Sequence, residues 1–121
     1  MDILTIGLGT IGTTYSYLFS KAGHNVEHYI RKSSKKINIT QLNVDVLDGR
    51  NNKKGDHYTD TYKVNTHTKD NYDFIFISMP AGNIESVIET LNSNNIKGTI
   101  ILCCGIWEDK KYLEKVMQGR E

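Results

Sequence analysis

Apolar and polar residues follow two different periods along this chain, and the periods predict its elements. Residues 2–6 form a short apolar run, as expected of a strand buried on both faces. A helix is predicted next, ended by Gly23, with an apolar face made of Ile11, Tyr15, Leu18, Phe19 and Ala22. A second strand is predicted at 25–30, which completes a β-α-β unit.

In the middle of the chain, the residue pattern shows only the two-residue alternation that is typical of strands. Residues 42–47 and 58–64 alternate apolar or β-forming residues with polar ones, around a polar turn region at 48–55. This pattern predicts an exposed hairpin or a pair of edge strands. We interpret its tyrosines as one face of a half-buried sheet rather than as substrate contacts.

Strands and helices alternate again in the last third of the chain. Unbroken apolar runs predict buried strands at 73–78 and 99–104. Between them, helical spacing predicts a helix over 84–94 with Ile84, Val87, Ile88 and Leu91 on its buried face, and a last helix is predicted over 107–117. The whole pattern predicts an α/β fold with a Rossmann-type, doubly wound, mostly parallel sheet and an inserted β-hairpin.

Three glycines follow the first predicted strand in the pattern Gly-x-Gly-x-x-Gly, which is typical of dinucleotide-binding loops. Gly7 permits a tight turn, Gly9 lets the backbone approach a pyrophosphate, and Gly12 lets the following helix pack closely on the sheet. The start of that helix also attracts phosphate. We therefore predict cofactor contacts along the whole loop, from Gly7, Leu8, Gly9, Thr10, Ile11 and Gly12.

Two further loops are predicted at the same edge of the sheet, where open parallel sheets bind ligands. They follow the strands at 73–78 and 99–104. Ribose and nicotinamide would continue from the pyrophosphate along these loops. The predicted contacts there are Ser78, Met79, Pro80 and Cys104.

The end of the second strand predicts NADP(H) rather than NAD(H). An acidic residue about 20 positions after the glycines takes the ribose 2′-hydroxyl in NAD sites, whereas a cation accommodates the 2′-phosphate of NADP. Arg31 and Lys32 stand near that spacing, and Glu27 comes too early, in mid-strand. A guanidinium binds phosphate in a bidentate way. Arg31 also argues against adenosylmethionine, whose sites typically carry an acidic residue there.

Composition narrows the classes of partner. A net charge of +1, with 38% hydrophobic and 24% charged residues, predicts one globular domain and gives no case for nucleic acid or anionic membrane. No apolar run approaches the roughly 20 residues that span a bilayer. The adjacent Cys103 and Cys104 point to opposite faces of a strand, so no disulfide joins them, and two cysteines alone make no metal site. We therefore expect a cytoplasmic protein.

These motifs together resemble the N-terminal domain of the ketopantoate reductase (2-dehydropantoate 2-reductase) family. The resemblance runs over nearly the whole chain and is carried by residues 6–12, 21–26, 30–32, 46–49 and 73–78. It implies an NADPH-binding domain with the glycine loop on the pyrophosphate and Arg31 on the 2′-phosphate. It also implies reduction of a small 2-keto acid in a cleft that a helical domain completes.

The chain departs from the family pattern at two places. The family commonly has a lysine just after the strand at 73–78, where this chain has Pro80. Where the family shows Gln-Asn-Gly, this chain has Cys103-Cys104-Gly105. The family's main catalytic lysine belongs to the helical domain, beyond residue 121. We therefore nominate no catalytic residue and expect residues 1–121 to be the dinucleotide-binding part of a longer reductase.

Other interpretations stay open at this point. The missing lysine and asparagine favour a non-catalytic NADP-binding regulatory or interaction module, and the turn at 78–80 also fits prephenate dehydrogenase-like and other related oxidoreductases. An apolar helix face left by an absent domain would favour a homodimer. The four histidines are interpreted as structural or solvated, since none falls in a predicted cofactor-edge turn: His24, His28, His57 and His67.

Overall fold

A computed structural model of the chain describes residues 1–30, 38–48, 53–78 and 84–103, together with Lys115 and Met117. Most of the predicted helix over 107–117 therefore lies outside the described residues. The described elements, in chain order, are β1 (Asp2–Ile6), α1 (Thr10–Lys21), β2 (Asn25–Tyr29), β3 (Gln41–Asp48), β4 (Asp56–Lys63), β5 (Asn71–Ile77), α2 (Ile84–Ser93) and β6 (Lys97–Leu102).

Within the described residues, the main sheet is parallel, with the strand order β2-β1-β5-β6. Ile3 of β1 pairs with Val26 of β2 on one side and with Phe74 of β5 on the other. The chain moves outward from β1 to β2 in one direction and from β5 to β6 in the other. The order therefore reverses between β1 and β5, which is the switch point of a doubly wound sheet.

The two helices cover opposite faces of this sheet, because successive strand residues point to opposite faces. Ile75 and Ile77 of β5 belong to the core cluster that includes the buried face of α2. Phe76, between them, meets α1 instead, with its ring centroid 5.3 Å from that of Tyr15 and 6.0 Å from that of Phe19. The predicted α/β, doubly wound fold is therefore confirmed.

The main hydrophobic core lies between the sheet and α2. The side chains of α2 that reach it are those expected from the helical spacing. The whole cluster of buried residues consists of Leu4, Tyr72, Ile75, Ile77, Ile84, Val87, Ile88, Leu91 and Ile96. At this helix, sequence period and tertiary packing agree.

Helix α1 spans nearly the predicted residues but buries only part of the predicted apolar face. Ile11, Tyr15 and Leu18 remain 43–52% exposed, whereas Ser16 and Tyr17 are buried. The hydroxyl of Ser16 lies 2.7 Å from Oγ1 of Thr5 on β1, so a polar pair joins the helix to the sheet. The predicted apolar face is therefore only partly confirmed: Tyr15 and Phe19 meet Phe76 of β5, whereas Ile11 and Leu18 stay exposed and the polar Ser16 contacts β1.

Strands β3 and β4 form an antiparallel hairpin outside the main sheet. Leu42 faces Tyr62 across the hairpin, and Val46 faces Tyr58. The inward face packs on α1, where the rings of Tyr17 and Tyr62 meet edge to face at 6.4 Å. The hairpin prediction is confirmed, and the alternative of edge strands in the main sheet is not.

After the hairpin, the chain runs back along the free side of β2. The His28 N–H donates to the Asn65 carbonyl at 2.7 Å, and the His67 N–H donates to the His28 carbonyl at 3.0 Å. These bonds seat the hairpin beside the carboxyl end of β2. Neither α1 nor α2, the helices of the described chain, has the length and apolar character that crossing a bilayer requires.

We expect the two helices to respond differently to truncation of a leucine. Leu91 of α2 is fully buried, so Leu91→Ala leaves a cavity and lowers the free energy of unfolding by about 2–5 kcal/mol. Leu18 of α1 is 47% exposed, so Leu18→Ala costs less than about 1 kcal/mol. Urea unfolding followed by circular dichroism measures both. Equal losses would contradict the orientation of α1.

Candidate functional site

The loop at residues 7–9 joins β1 to α1 beside the switch point of the sheet. Gly7 has φ +81°, a conformation that side chains with a Cβ rarely adopt. Gly9 is the N-cap of α1 with an ordinary extended backbone, and a Cβ built there would meet nothing within 4 Å. Gly7 is thus required by the backbone itself, whereas Gly9 borders open space that a ligand can enter.

Gly12 brings the first turn of α1 against the sheet. A Cβ at Gly12 would lie 3.3 Å from Cγ2 of Thr5 and 4.0 Å from Cβ of Ser78. A larger side chain here would push the helix away from β1. The same contact brings Ser78, which directly follows β5, next to the glycine loop, so two of the predicted site segments meet.

The amino end of α1 faces the open space beside Gly9. The first helical hydrogen bond runs from the Thr13 N–H to the Gly9 carbonyl at 2.9 Å, so the preceding N–H groups have no partner within the helix. The first turn carries no acidic residue, and Gly9 supplies no side-chain cap. This end of the helix therefore has the polarity that phosphate groups prefer.

The described residues include only part of the predicted site. Ile30, the residue before Arg31, is buried and belongs to the same cluster as Leu8 of the loop. The Cys103 N–H donates to the Ile77 carbonyl at 2.8 Å, at the carboxyl ends of β5 and β6. The remaining predicted contacts lie outside the described residues: Arg31, Lys32, Met79, Pro80 and Cys104.

His28 contacts the glycine loop directly, which the sequence did not indicate. Its ring is fully buried, with Nδ1 2.8 Å from the Gly7 carbonyl and Nε2 within hydrogen-bond distance of the Tyr62 hydroxyl. A carbonyl only accepts, so Nδ1 carries the proton. The Gly7 N–H donates to the Tyr29 carbonyl at 2.8 Å. Both backbone polar groups of Gly7 are thus bound to β2.

The protonation states around His28 follow from its burial. Burial lowers the pKa of His28, although the bond to Gly7 acts in the opposite direction, so the ring is neutral near pH 7. Burial raises the pKa of Tyr62 to about 12, against a smaller lowering by Ser16. The Tyr62 hydroxyl therefore stays protonated and donates a hydrogen bond to Nε2 of His28. Two buried polar pairs therefore lie in this region, Thr5 with Ser16 and Tyr62 with His28.

A second polar contact joins the hairpin to α1. Asp60 of β4 accepts from Lys21 at 2.9 Å and from the Tyr17 hydroxyl at 2.7 Å. These bonds, that of Lys21 foremost, lower the pKa of Asp60 to about 2. The carboxylate is therefore ionised at physiological pH and holds the hairpin against the last turns of the helix.

Glu27, the acidic residue of β2, is engaged away from the loop. Its carboxylate accepts from the Tyr72 hydroxyl at 2.7 Å and from the Thr68 N–H at 2.8 Å. Burial acts to raise the pKa of Glu27, but the bonds from Tyr72 and Thr68 outweigh it and lower the pKa.

Within residues 1–30, 38–48, 53–78 and 84–103, we find no group of three metal-ligating side chains.

The switch-point loop, the helix that starts from it and the doubly wound sheet define a Rossmann-type domain. A sequence model of one family, described as "Ketopantoate reductase PanE/ApbA", matches residues 3–105. Because this match covers most of the chain, the chain belongs to the ketopantoate reductase family. No curated protein sequence matches it.

Solved structures share the fold. The 2-dehydropantoate 2-reductase from Geobacter metallireducens GS-15 superposes with a TM-score of 0.61 at 17% identity, over 96% of this chain and 38% of that one. The dimeric ketopantoate reductase from Staphylococcus aureus gives a TM-score of 0.50 at 16% identity, over 87% and 34%. The present chain thus spans little more than a third of each protein.

The buried His28 makes folding stability depend on pH. Its pKa is lowered in the folded state, so the unfolded chain binds more protons below the ordinary value of about 6.5. We expect the contribution of His28 to stability to be constant above that pH and to fall as the pH decreases from about 6.5 toward the lowered folded-state pKa. Urea midpoints measured between pH 5 and pH 8 test this, with His28→Leu expected to flatten the profile.

The exposed His57 provides the control, because His57→Gln leaves the buried ring unchanged. This variant keeps the pH dependence of the wild type. Equal slopes for His28→Leu and the wild type would show that another group is responsible.

Proposed function

We propose that residues 1–121 form the NADPH-binding domain of a 2-keto-acid reductase that resembles ketopantoate reductase. The observation that carries this proposal is the glycine loop at the switch point, where Gly9 borders open space at the start of α1. Membership of the ketopantoate reductase family supports the same cofactor and substrate class. Reduction of 2-dehydropantoate to pantoate, a step of pantothenate biosynthesis, is the proposed reaction.

The residues present fit such a cofactor. In the proposal, the backbone of residues 7–12 holds the pyrophosphate, because Gly9 adds no side chain and the helix start offers N–H groups. Ser78 lies next to this loop and is proposed to contact the ribose. Met79, Pro80 and Cys104, in segments that the sequence predicts to be loops, are proposed to border the nicotinamide. Bound NADPH would supply the hydride, and these residues would orient it.

The preference for NADPH is proposed on the groups near the end of β2. Arg31 directly follows Ile30, which packs with Leu8 of the loop, so a cation enters the sequence where the 2′-phosphate is expected. The acidic residue of β2, Glu27, is occupied by Tyr72 and Thr68. An unpaired carboxylate that would repel the 2′-phosphate is therefore absent from β2.

The wider assembly is also part of the proposal. A helical domain is proposed to supply the proton donor and the 2-keto-acid contacts, and the exposed Ile11, Tyr15 and Leu18 of α1 offer an apolar face for that domain or for a second copy. Cys103 carries a free thiol, which supports a reducing compartment, and the cytoplasm is the location we propose.

Cofactor titration of the 121-residue chain tests the proposal. We expect NADPH to bind and quench or shift fluorescence, with NADH binding at least tenfold more weakly. Arg31→Ala removes a charge-assisted contact and weakens NADPH by about tenfold or more while leaving NADH unchanged. Gly9→Ala weakens both cofactors, because its Cβ enters the proposed phosphate path, while thermal stability changes little.

Two controls match these variants. Lys97→Ala removes a cation at the opposite edge of the sheet, and Ser20→Ala alters an exposed position of α1 far from the loop. Both should bind NADPH as the wild type does. Equal NADPH affinity for Arg31→Ala and the wild type would contradict the assignment of NADPH as the cofactor. Wild-type cofactor affinity in Gly9→Ala would contradict the proposed binding site.

A non-catalytic NADP-binding module is the second candidate, favoured by Pro80 and Cys104 at positions where the family commonly has lysine and asparagine. Steady-state NADPH oxidation separates the two. The 121-residue chain should not reduce 2-dehydropantoate, whereas the complete product of its gene should reduce this or another branched 2-keto acid. Binding without reduction by the complete product would favour the module, and rapid reduction by residues 1–121 alone would show that catalytic groups lie within them.

A further inference from the structure

We propose that His28 is a positioning residue for the glycine loop, and that Tyr62 joins it to the hairpin, so that docking of the hairpin and the shape of the cofactor cradle are coupled. The consequence for cofactor affinity rests on the proposed function. The link itself is a property of the chain without cofactor. It is therefore testable whether or not a dinucleotide binds.

His28 orients the peptide group between Gly7 and Leu8. The Gly7 carbonyl accepts from Nδ1 of His28 at 2.8 Å, while the Gly7 N–H is bound to Tyr29. In a planar trans peptide the C=O and the following N–H point in opposite directions. The bond from His28 therefore sets the plane of the peptide between Gly7 and Leu8, at the point where the chain turns from β1 toward α1.

The hydrogen bond from His28 restricts the rotation of the Gly7 backbone. Gly7 has no side chain to restrict its rotation, and a Cβ built on it would meet nothing within 4 Å. Its two backbone hydrogen bonds therefore contribute directly to its conformation. A loop that is ordered before binding loses less conformational entropy when a ligand arrives, so the bond from His28 favours affinity through preorganisation.

Tyr62 of the hairpin holds the imidazole ring of His28 in place. Tyr62 is 4% exposed, its hydroxyl donates to Nε2, and the two rings meet edge to face at 5.6 Å between centroids. Tyr62 belongs to β4 and packs in the cluster that contains Leu8. The hairpin is thus linked to the glycine loop in two ways, through the apolar cluster that Tyr62 shares with Leu8 and through the hydrogen bonds from Tyr62 to His28 and from His28 to Gly7.

Backbone amide NMR spectra of the 15N-labelled chain without cofactor test the link. His28→Leu removes both ring nitrogens at similar volume, and we expect the Leu8 and Gly9 signals to shift or broaden. His28→Asn keeps a donor at the same bond distance from the backbone as Nδ1, and should restore signals close to those of the wild type. Tyr62→Phe removes the support at Nε2 and should move the same signals less far.

Tyr17→Phe is the matched control. Tyr17 is as deeply buried as Tyr62, and its hydroxyl also joins the hairpin to the rest of the domain, but it does so from α1 to Asp60 of β4 and not to His28. It should lower thermal stability as Tyr62→Phe does and leave the loop signals in place. NADPH titration of the same variants should give about tenfold weaker binding for His28→Leu and a smaller loss of affinity for Tyr62→Phe. Tyr17→Phe should bind NADPH with wild-type affinity.

Wild-type loop signals in His28→Leu would overturn the proposal, as would equal loop shifts in Tyr17→Phe and Tyr62→Phe, which would indicate general loosening of the hairpin. If His28→Leu does not fold, the comparison of His28→Asn, Tyr62→Phe and Tyr17→Phe decides in its place. Absence of NADPH binding by the wild type would count against the proposed function alone, because the loop signals report on His28 without any cofactor.

Discussion

The two hydrogen bonds that bind Gly7 to β2 are the constraint on which the site depends. The N–H donates to the Tyr29 carbonyl, and the carbonyl accepts from the His28 ring. A buried backbone group left unpaired costs about 1–3 kcal/mol, so the turn has one favourable arrangement, with positive φ at Gly7. Two residues later Gly9 caps α1, and the direction of the helix follows from that arrangement.

The sheet places two chemically different layers on either side of this turn. On one face, Leu4 and Ile75 join the mainly apolar core with α2, in which the Tyr72 hydroxyl donates to Glu27. On the other face, Thr5 binds Ser16 of α1. The apolar layer supplies most of the hydrophobic stabilisation, because burial of apolar surface dominates folding. Beside this polar pair α1 approaches β1 closely at Gly12, and further along the helix the rings of Tyr15 and Phe19 pack on Phe76 of β5.

The hairpin of β3 and β4 is bound to the domain by polar groups as much as by apolar ones. Asp60 holds it to α1 through Lys21 and Tyr17, and Tyr62 reaches His28 under the loop. Each hydrogen bond contributes only about 1 kcal/mol net, but a partner left unpaired in the interior is costly. Such contacts therefore define where the hairpin sits more than they add to overall stability.

Local patterns determined the elements of this protein, and long-range contacts decided how they meet. The strands, the hairpin and the buried face of α2 were predictable because period and turn residues act over a few positions, and the glycine loop was predictable because its spacing is itself the mechanism. The exposed Ile11, Tyr15 and Leu18 and the contact from His28 to Gly7 were not. Those outcomes depend on Ser16 and Tyr62, whose partners lie far away in the sequence, and only the folded chain brings them together.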